Sequence, residues 1–414
     1  MMTRFKQIFF RFLPVFAIIG PGIISGSVDN DAGGIATYSL AGARFGYSLL
    51  WVLFLTTFCL AVTQEIGARM GLVTGKGLAS LVREKFGIRW TVLIMIILFV
   101  ANVGTIAAEF AGVAAALEIF HVPRIISVGF IALAIFIFVT KGNFKKLEHV
   151  FLVASAFYVV YIISAFLAKP DWHTPLMSLV IPSFQTKPAY LLTLIALVGT
   201  TITPWGQFFI QDYVVDKKLS KEDLNVERGD VFFGSFVTNF ISFFIIVACA
   251  VTIYMNHGTI TDAKDAALAL QPLAGNLAGF LFAFGLLNAS VFGAALVPVS
   301  TAYVISEAFG FESGLNFNFK EAPQFYSLFA ALLIIGGLFV VLPFIPLFTI
   351  LFVSQAINAV LLIPILLFVF LLSNDKRLLN GYVNGKVINI ILLTTVIGVS
   401  LCSVIYFVSL LLPY

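Results

Sequence analysis

Runs of about 20 apolar residues recur along this chain from one end to the other, and that repetition limits its possible folds more than any other feature. They fall near 12–43, 46–69, 90–117, 124–140, 147–168, 188–215, 231–256, 273–306, 323–343, 346–372 and 387–412, separated by short polar punctuation. At 1.5 Å of rise per residue, about 20 residues cross a hydrocarbon core of roughly 30 Å, so each run reads as a membrane-spanning helix. The chain has 414 residues, of which 60% are hydrophobic and 11% charged. That leaves too little polar surface to cover soluble domains. The sequence predicts an all-α integral membrane protein of about eleven transmembrane helices, folded as one domain over 1–414, with the lipid bilayer as a partner.

Charge supplies the orientation. Apart from Arg44, Arg124, Lys169, Lys187 and Lys264, every Lys and Arg falls in segments that share one side if the amino terminus is cytoplasmic, chiefly 69–89, 141–146, 217–228 and 376–386. The positive-inside rule then places the amino terminus in the cytoplasm and the carboxyl terminus outside, in a multi-pass protein of the plasma membrane. The basic residues form no patch, which excludes a nucleic-acid partner, and no obligate protein partner is evident. The loop 75–89 has apolar residues at helical spacing among basic ones and predicts a short helix lying on the inner face. The polar stretch 216–230 reads as a solvated connection. Cys59, Cys249 and Cys402 are isolated in apolar runs, so neither a disulfide framework nor a CxxC metal site is expected.

Two runs are interrupted. Residues 20–34 read GPGIISGSVDNDAGG and residues 199–207 read GTTITPWGQ. Glycine, proline and polar residues in mid-membrane leave backbone groups unpaired unless they line a cavity or site. The breaks lie five helices apart, as in an inverted-repeat (5+5) broken-helix transporter with repeats at 12–168 and 188–372 and one extra helix at 387–412.

Asp29 and Asp31 sit inside the first break. An ionised carboxylate near the bilayer centre is costly without a partner and is a functional candidate by default. Either aspartate could instead cap the half-helix that follows, and capping does not exclude ligation, because different lone pairs serve each role. In the second break Thr200, Thr201 and Thr203 supply hydroxyls, and Pro204 withdraws a backbone donor and frees a carbonyl. Carboxylate, hydroxyl and carbonyl are hard oxygen ligands suited to Mg²⁺, Mn²⁺ or Ca²⁺. Back-bonding to its own helix is the competing role for each threonine. Glu109, the lone acid of the third run, either lines the ion path or hydrogen-bonds as a neutral acid to a neighbouring helix. Gln355, Asn288 and Asn358 divide between interhelical hydrogen bonding and site lining. Glu65 reads as structural.

The stretch GPGIISGSVDNDAGGIATYSLAGARFGYSLLW, beginning at Gly20, resembles the first helix and following turn of the Nramp divalent-metal transporters. RMGLVTGKGLASLVREKFG at 69–87, KKLEHVF at 145–151, FGLLNAS at 284–290 and VSQAIN at 353–358 extend the resemblance over nearly the whole chain. It implies the broken-helix fold, with metal held between the first and sixth helices and Gln355 nearby. Asp31-Ala32-Gly33-Gly34 falls where the family has Asp-Pro-Gly-Asn, so Gly34 stands in place of a metal-binding asparagine. Thr203-Pro204-Trp205 stands where the family has Met-Pro-His. Losing the thioether removes the soft ligand that favours transition metals, and losing the asparagine widens the site. A wider all-oxygen site suits a partly hydrated Mg²⁺, which dehydrates reluctantly. These departures are similar to those of the Nramp-related magnesium transporters, which also carry Mn²⁺. The plant aluminium transporters lack the methionine as well.

Proton coupling looks weak in this reading. His121, His149, His173 and His257 all lie at or beyond span ends, Gly112 replaces a family glutamate, and the ninth run contains no Lys or Arg. The expected activity is uptake of Mg²⁺ and Mn²⁺ without a cofactor, driven by the ion gradient and the membrane potential. Alternatives are proton-coupled Mn²⁺/Fe²⁺ symport of the main Nramp type and sodium-coupled symport of an organic solute. No Ser-His-Asp set, HExxH pair or Gly-rich phosphate loop supports an enzyme.

Overall fold

The structure is a computed structural model that describes residues 30–141, 156–314, 317–342 and 344–411. Asp29, His149, the amino-terminal part of the first predicted span, the start of the fifth and the KKLEHVF motif lie outside the described residues. Among the described residues all regular secondary structure is helical.

The principal helices are α1 (Ala32–Phe45), α2 (Leu50–Thr74), α3 (Leu78–Phe86), α4 (Ile88–Glu118), α5 (Arg124–Thr140), α6 (Val159–Leu167), α7 (His173–Val180), α8 (Pro188–Thr201), α9 (Pro204–Asp216), α10 (Leu224–Cys249), α11 (Ala278–Phe309), α12 (Pro323–Val341), α13 (Leu347–Ser373) and α14 (Lys386–Leu411). Eight helical stretches among the described residues are long and apolar enough to cross a membrane, with α8 and α9 together forming one of them, and α5 is a shorter apolar helix. With the two partly described spans, these occupy the positions read from the sequence.

Small residues decide which helices meet. The Ala- and Gly-rich half of α4 packs against α11, α12 and α13, while α8 lies on α13 and α10 lies on α1, α2 and α6. Gly112 of α4 leaves room for Ser290 of α11 and Ala32 of α1, and Gly42 of α1 sits against the Ile246 backbone of α10. Without a side chain the helix axes approach closely, which drives helix association where lipid offers no hydrophobic gain. Polar residues gather inside, while the outward faces carry exposed Phe54, Phe58, Ile96, Phe130, Phe233, Phe236, Ile334, Val387 and Ile397. Polar inside and apolar outside is the arrangement lipid requires.

The basic segments 69–89, 217–228 and 376–386 meet at one end of the bundle, where Lys85 Nζ lies 2.7 Å from Asp375. That ion pair and the Arg377 amide hold the Asp375 carboxyl below its ordinary range. At the same end Arg69, 1% exposed, pairs with Glu65 at 3.0 Å. It also donates to the Tyr382 carbonyl and, at 2.6 Å, to Asn384 Oδ1. Arg228 adds a 2.8 Å bond to Glu65, giving that acid a structural role. Arg124 pairs with Glu118 near the opposite end. Loop 75–89 contains α3, with Leu78, Ala79, Leu81 and Val82 buried, as its apolar spacing predicts.

The stretch 216–230 departs from expectation. α10 already begins at Leu224, and Glu227 and Asp230 are buried. Leu224 and Val231 fall on one helical face and pack with Ala68, Leu72, Ile210 and Val214. The polarity of the segment hid that apolar face. The three cysteines are free; Cys249 is buried and Cys59 and Cys402 are partly buried against the core.

Candidate metal site at the two helix breaks

Both breaks are built the same way. Asp31 is extended (ψ −176°) and its Oδ1 accepts from the Gly34 amide at 2.6 Å, which starts α1. Thr203 is extended (ψ 146°) and its Oγ1 accepts from the Gly206 amide at 3.3 Å, which starts α9 after α8 has ended at Thr201. Each half-helix thus opens with a side-chain cap and a glycine three residues on. Asn and Ser side chains hold the first break in place: Asn30 Nδ2 donates to the Thr238 carbonyl at 3.3 Å, and Ser242 Oγ donates to Asn30 Oδ1 at 3.0 Å. Tyr158 donates to the Asn30 carbonyl at 2.8 Å.

Beside Asp31, which is 2% exposed, the structure places Gly34, Glu109 and, over Gly33, Gln355. The fully buried Glu109 carboxyl lies beside the Asp31 carboxyl. It packs against Gly293, where any side chain would collide with it. The Glu109 carboxyl is hydrogen-bonded to the Asp31 carboxyl and to the Ala32 backbone, and among the described residues no Lys or Arg forms an ion pair with it. Gln355 of α13 packs over Gly33 with its amide and against Gly199 with its backbone carbonyl. It therefore joins the start of α1 to the end of α8. Gln355 Oε1 accepts from Asn358 at 3.1 Å, while Nε2 has no partner. Asn358 also donates to Thr105 Oγ1 at 2.9 Å, an interhelical role.

The threonines separate by geometry. Thr201 Oγ1 donates to the Leu197 carbonyl at 2.8 Å and lies 3.0 Å from Tyr38 Oη, so its hydroxyl serves packing. Thr200 Oγ1 is buried without a partner. Thr203 Oγ1 is the α9 cap. Gly34 contributes through its amide, which stabilises the carboxylate, and offers no side-chain ligand.

Two glutamines escaped the sequence reading. Gln64 of α2 lies next to Gly206, and both of its side-chain polar atoms, like those of Gln207, are buried without partners. The signal was an amide inside an apolar run, overshadowed by the neighbouring Glu65. Buried polar atoms in proteins are nearly always paired, so orphaned amide and hydroxyl groups at Gln64, Gln207, Thr200 and Gln355 are exceptions that call for a reason. The N-terminus of α1 presents partial positive charge to the Asp31 carboxyl. None of Asp31, Glu109, Thr200, Thr203, Gln64 and Gln355 carries sulfur or imidazole, and the donor set is one of hard oxygens.

Residues 22–409 match the model of the Nramp family, described as natural resistance-associated macrophage protein-like. The divalent metal cation transporter MntH of Burkholderia ambifaria is 28% identical over 305 residues, covering 70% of this chain and 68% of that protein. MntH of Caldanaerobacter subterraneus subsp. tengcongensis is 27% identical over 309 residues, covering 72% of each. A crystal structure of the Eremococcus coleocola manganese transporter superimposes with a TM-score of 0.76 at 21% identity, covering 94% of this chain and 85% of that one. MHP1, a nucleobase-cation-symport-1 family transporter in a closed conformation, gives a TM-score of 0.60 at 15% identity, covering 92% and 91%. These two likenesses concern the fold, in which interrupted helices of two repeats face each other. With its family match running over most of its length and its apolar helices arranged around two breaks, the chain belongs to the Nramp family of multi-pass membrane transporters and is not an enzyme.

Proposed function

We propose that this protein moves divalent metal cations across the cell membrane, carrying Mg²⁺ as a partly hydrated ion and Mn²⁺ as well, without obligatory proton coupling. The repeats are 12–168 and 188–372 with 387–412 added, and the amino terminus is cytoplasmic. The observation that carries the reading is the buried Asp31 beside Glu109, with the Gln355 amide over Gly33 and no soft donor among them. The names of the MntH relatives support a divalent metal cation as substrate. Asp31, Thr200, Thr203 and Gln355 are the proposed ligands, with Asp29 and the Gly34 backbone beside them and Glu109 on the ion path. Two carboxylates plus neutral oxygens, with water completing the shell, match what Mg²⁺ accepts.

Trp205 supports weak coupling, because a buried indole stands where an imidazole would titrate and it offers only a donor. Transport then follows the ion gradient and membrane potential, the latter worth about 2.3 kcal/mol per charge per 100 mV. Thr203→Met tests the ligand reading. Restoring a thioether shifts the preference from Mg²⁺ toward Mn²⁺ in proteoliposome competition assays. An unchanged preference at equal incorporation would show that Thr203 is not a ligand. Vesicle acidification that tracks metal influx would establish proton coupling and overturn that part of the proposal.

A further inference from the structure

Away from the helix breaks, α2, the start of α10 and the strap 380–385 that leads into α14 enclose a cleft of about 420 Å³. Its walls include Arg69, Lys221, Asn225, Arg228, Tyr382 and Gly385, and among the described residues that line it none is acidic. One carboxylate stands behind the wall: Glu65 pairs with Arg69 at 3.0 Å and with Arg228 at 2.8 Å. Three cations therefore share a single counter-charge, and the cleft carries an excess of two positive charges.

The cations differ in how firmly they are held. Arg69 is spent on Glu65, the Tyr382 carbonyl and Asn384, so it is a fixed charge that ties the strap to α2. Arg228 reaches Glu65 through Nε alone, which leaves both of its Nη groups without a partner among the described residues. Lys221 likewise forms no ion pair among them. The acids next to Lys221 are turned to Ser220: Asp223 accepts from its amide at 2.9 Å and from its hydroxyl at 3.1 Å, and Glu222 is hydrogen-bonded to its side chain. A guanidinium with free Nη groups beside an ammonium is a donor set matched to phosphate oxygens.

The surface next to the cleft is apolar. Asn225, Arg228 and Phe232 recur at i, i+3 and i+7 on α10 and so share one face, where Phe232 is 49% exposed. At the start of α14, beside Gly385, Val387 and Ile390 are 69% and 63% exposed. A basic cleft at the edge of lipid-facing surface suits a molecule with an anionic head and apolar tails.

We infer that this cleft binds a phosphate group, presented by an anionic phospholipid whose acyl chains lie along α10 and α14. On the proposed orientation the lipid belongs to the cytoplasmic leaflet, where anionic headgroups give the surface its negative potential. The headgroup bridges α2 and α10 to the strap between α13 and α14. None of the residues of the helix breaks takes part, so the inference holds whichever ion is carried.

Calorimetric titration of the purified full chain in neutral detergent with dioctanoyl phosphatidylglycerol, dioctanoyl phosphatidylcholine and inorganic phosphate tests it. We expect one saturable phosphatidylglycerol site per chain, with weaker binding of the other two. Lys221→Gln/Arg228→Gln weakens it by about tenfold or more, as the loss of charge-assisted hydrogen bonds requires. Gly385→Glu does the same and serves if the double variant fails to fold, because a Cβ at Gly385 meets nothing within 4 Å and the new carboxylate enters open space. Lys376→Gln/Arg377→Gln, which removes basic residues of the same end that do not line the cleft, leaves the affinity unchanged. Equal weakening by that control would mean diffuse attraction and overturn the site, as would undiminished binding in both cleft variants or no saturable binding at all. Inorganic phosphate binding as tightly as phosphatidylglycerol would retain the phosphate site and overturn the lipid as its source.

Discussion

At Asp31 a single side chain meets two demands, because one oxygen caps α1 through the Gly34 amide while the carboxylate charge remains to attract a cation. The two demands separate on mutation. Asp31→Asn keeps a capping oxygen and loses the charge, so transport is abolished while thermal stability in detergent changes little. Asp31→Ala also loses the cap and costs about 1 kcal/mol more. Normal uptake by either variant, at equal incorporation in proteoliposomes, would remove Asp31 from the site. The carboxylate was legible in the sequence because an acid inside an apolar run has few inexpensive explanations. Gln64 and Gln207 were not, since an amide in a membrane helix is ordinarily interhelical glue and only the structure leaves its atoms without partners.

At the scale of helices, the breaks were visible from glycine, proline and polar clusters. The shared cap-x-x-glycine opening of α1 and α9 was not, because Asp-Ala-Gly-Gly and Thr-Pro-Trp-Gly look alike only once both are seen to begin a helix. The stretch 216–230 misled for the opposite reason: its charges dominated composition, while Leu224, which with the following Val231 packs against Ala68, Leu72, Ile210 and Val214, decides its place. Two consequences of helix contact are measurable. Gly199→Ala forces a methyl into the Gln355 backbone and destabilises the α8–α13 contact by about 1–3 kcal/mol, read as a lowered melting temperature. Glu65→Gln leaves the buried Arg69 without its counter-charge and costs about 3 kcal/mol, the range seen when one member of a buried pair is removed. A shift under about 0.5 kcal/mol in ΔG would show that the Tyr382 and Asn384 bonds alone suffice.

For the whole molecule, the order of spans and the extra α14 helix followed directly from hydropathy, because lipid imposes length and polarity on every spanning segment. The contacts among the helices did not follow, since they depend on which small residues face each other. Charge asymmetry predicts that a cysteine at position 218 is labelled by an impermeant maleimide only from the inside of cells. One at position 264 is labelled only from the outside, in a background lacking the native cysteines. Labelling of both from one side would reverse or break the proposed topology.

Gln355 meets its two neighbours unequally: α8 leans on its main chain, whereas the start of α1 leans only on the end of its amide side chain. Backbone cannot yield, and a side chain can swing about its own bonds. Rocking of one repeat against the other would therefore carry α8 and α13 together, while the start of α1 meets α13 at Gln355 through a side chain that can turn.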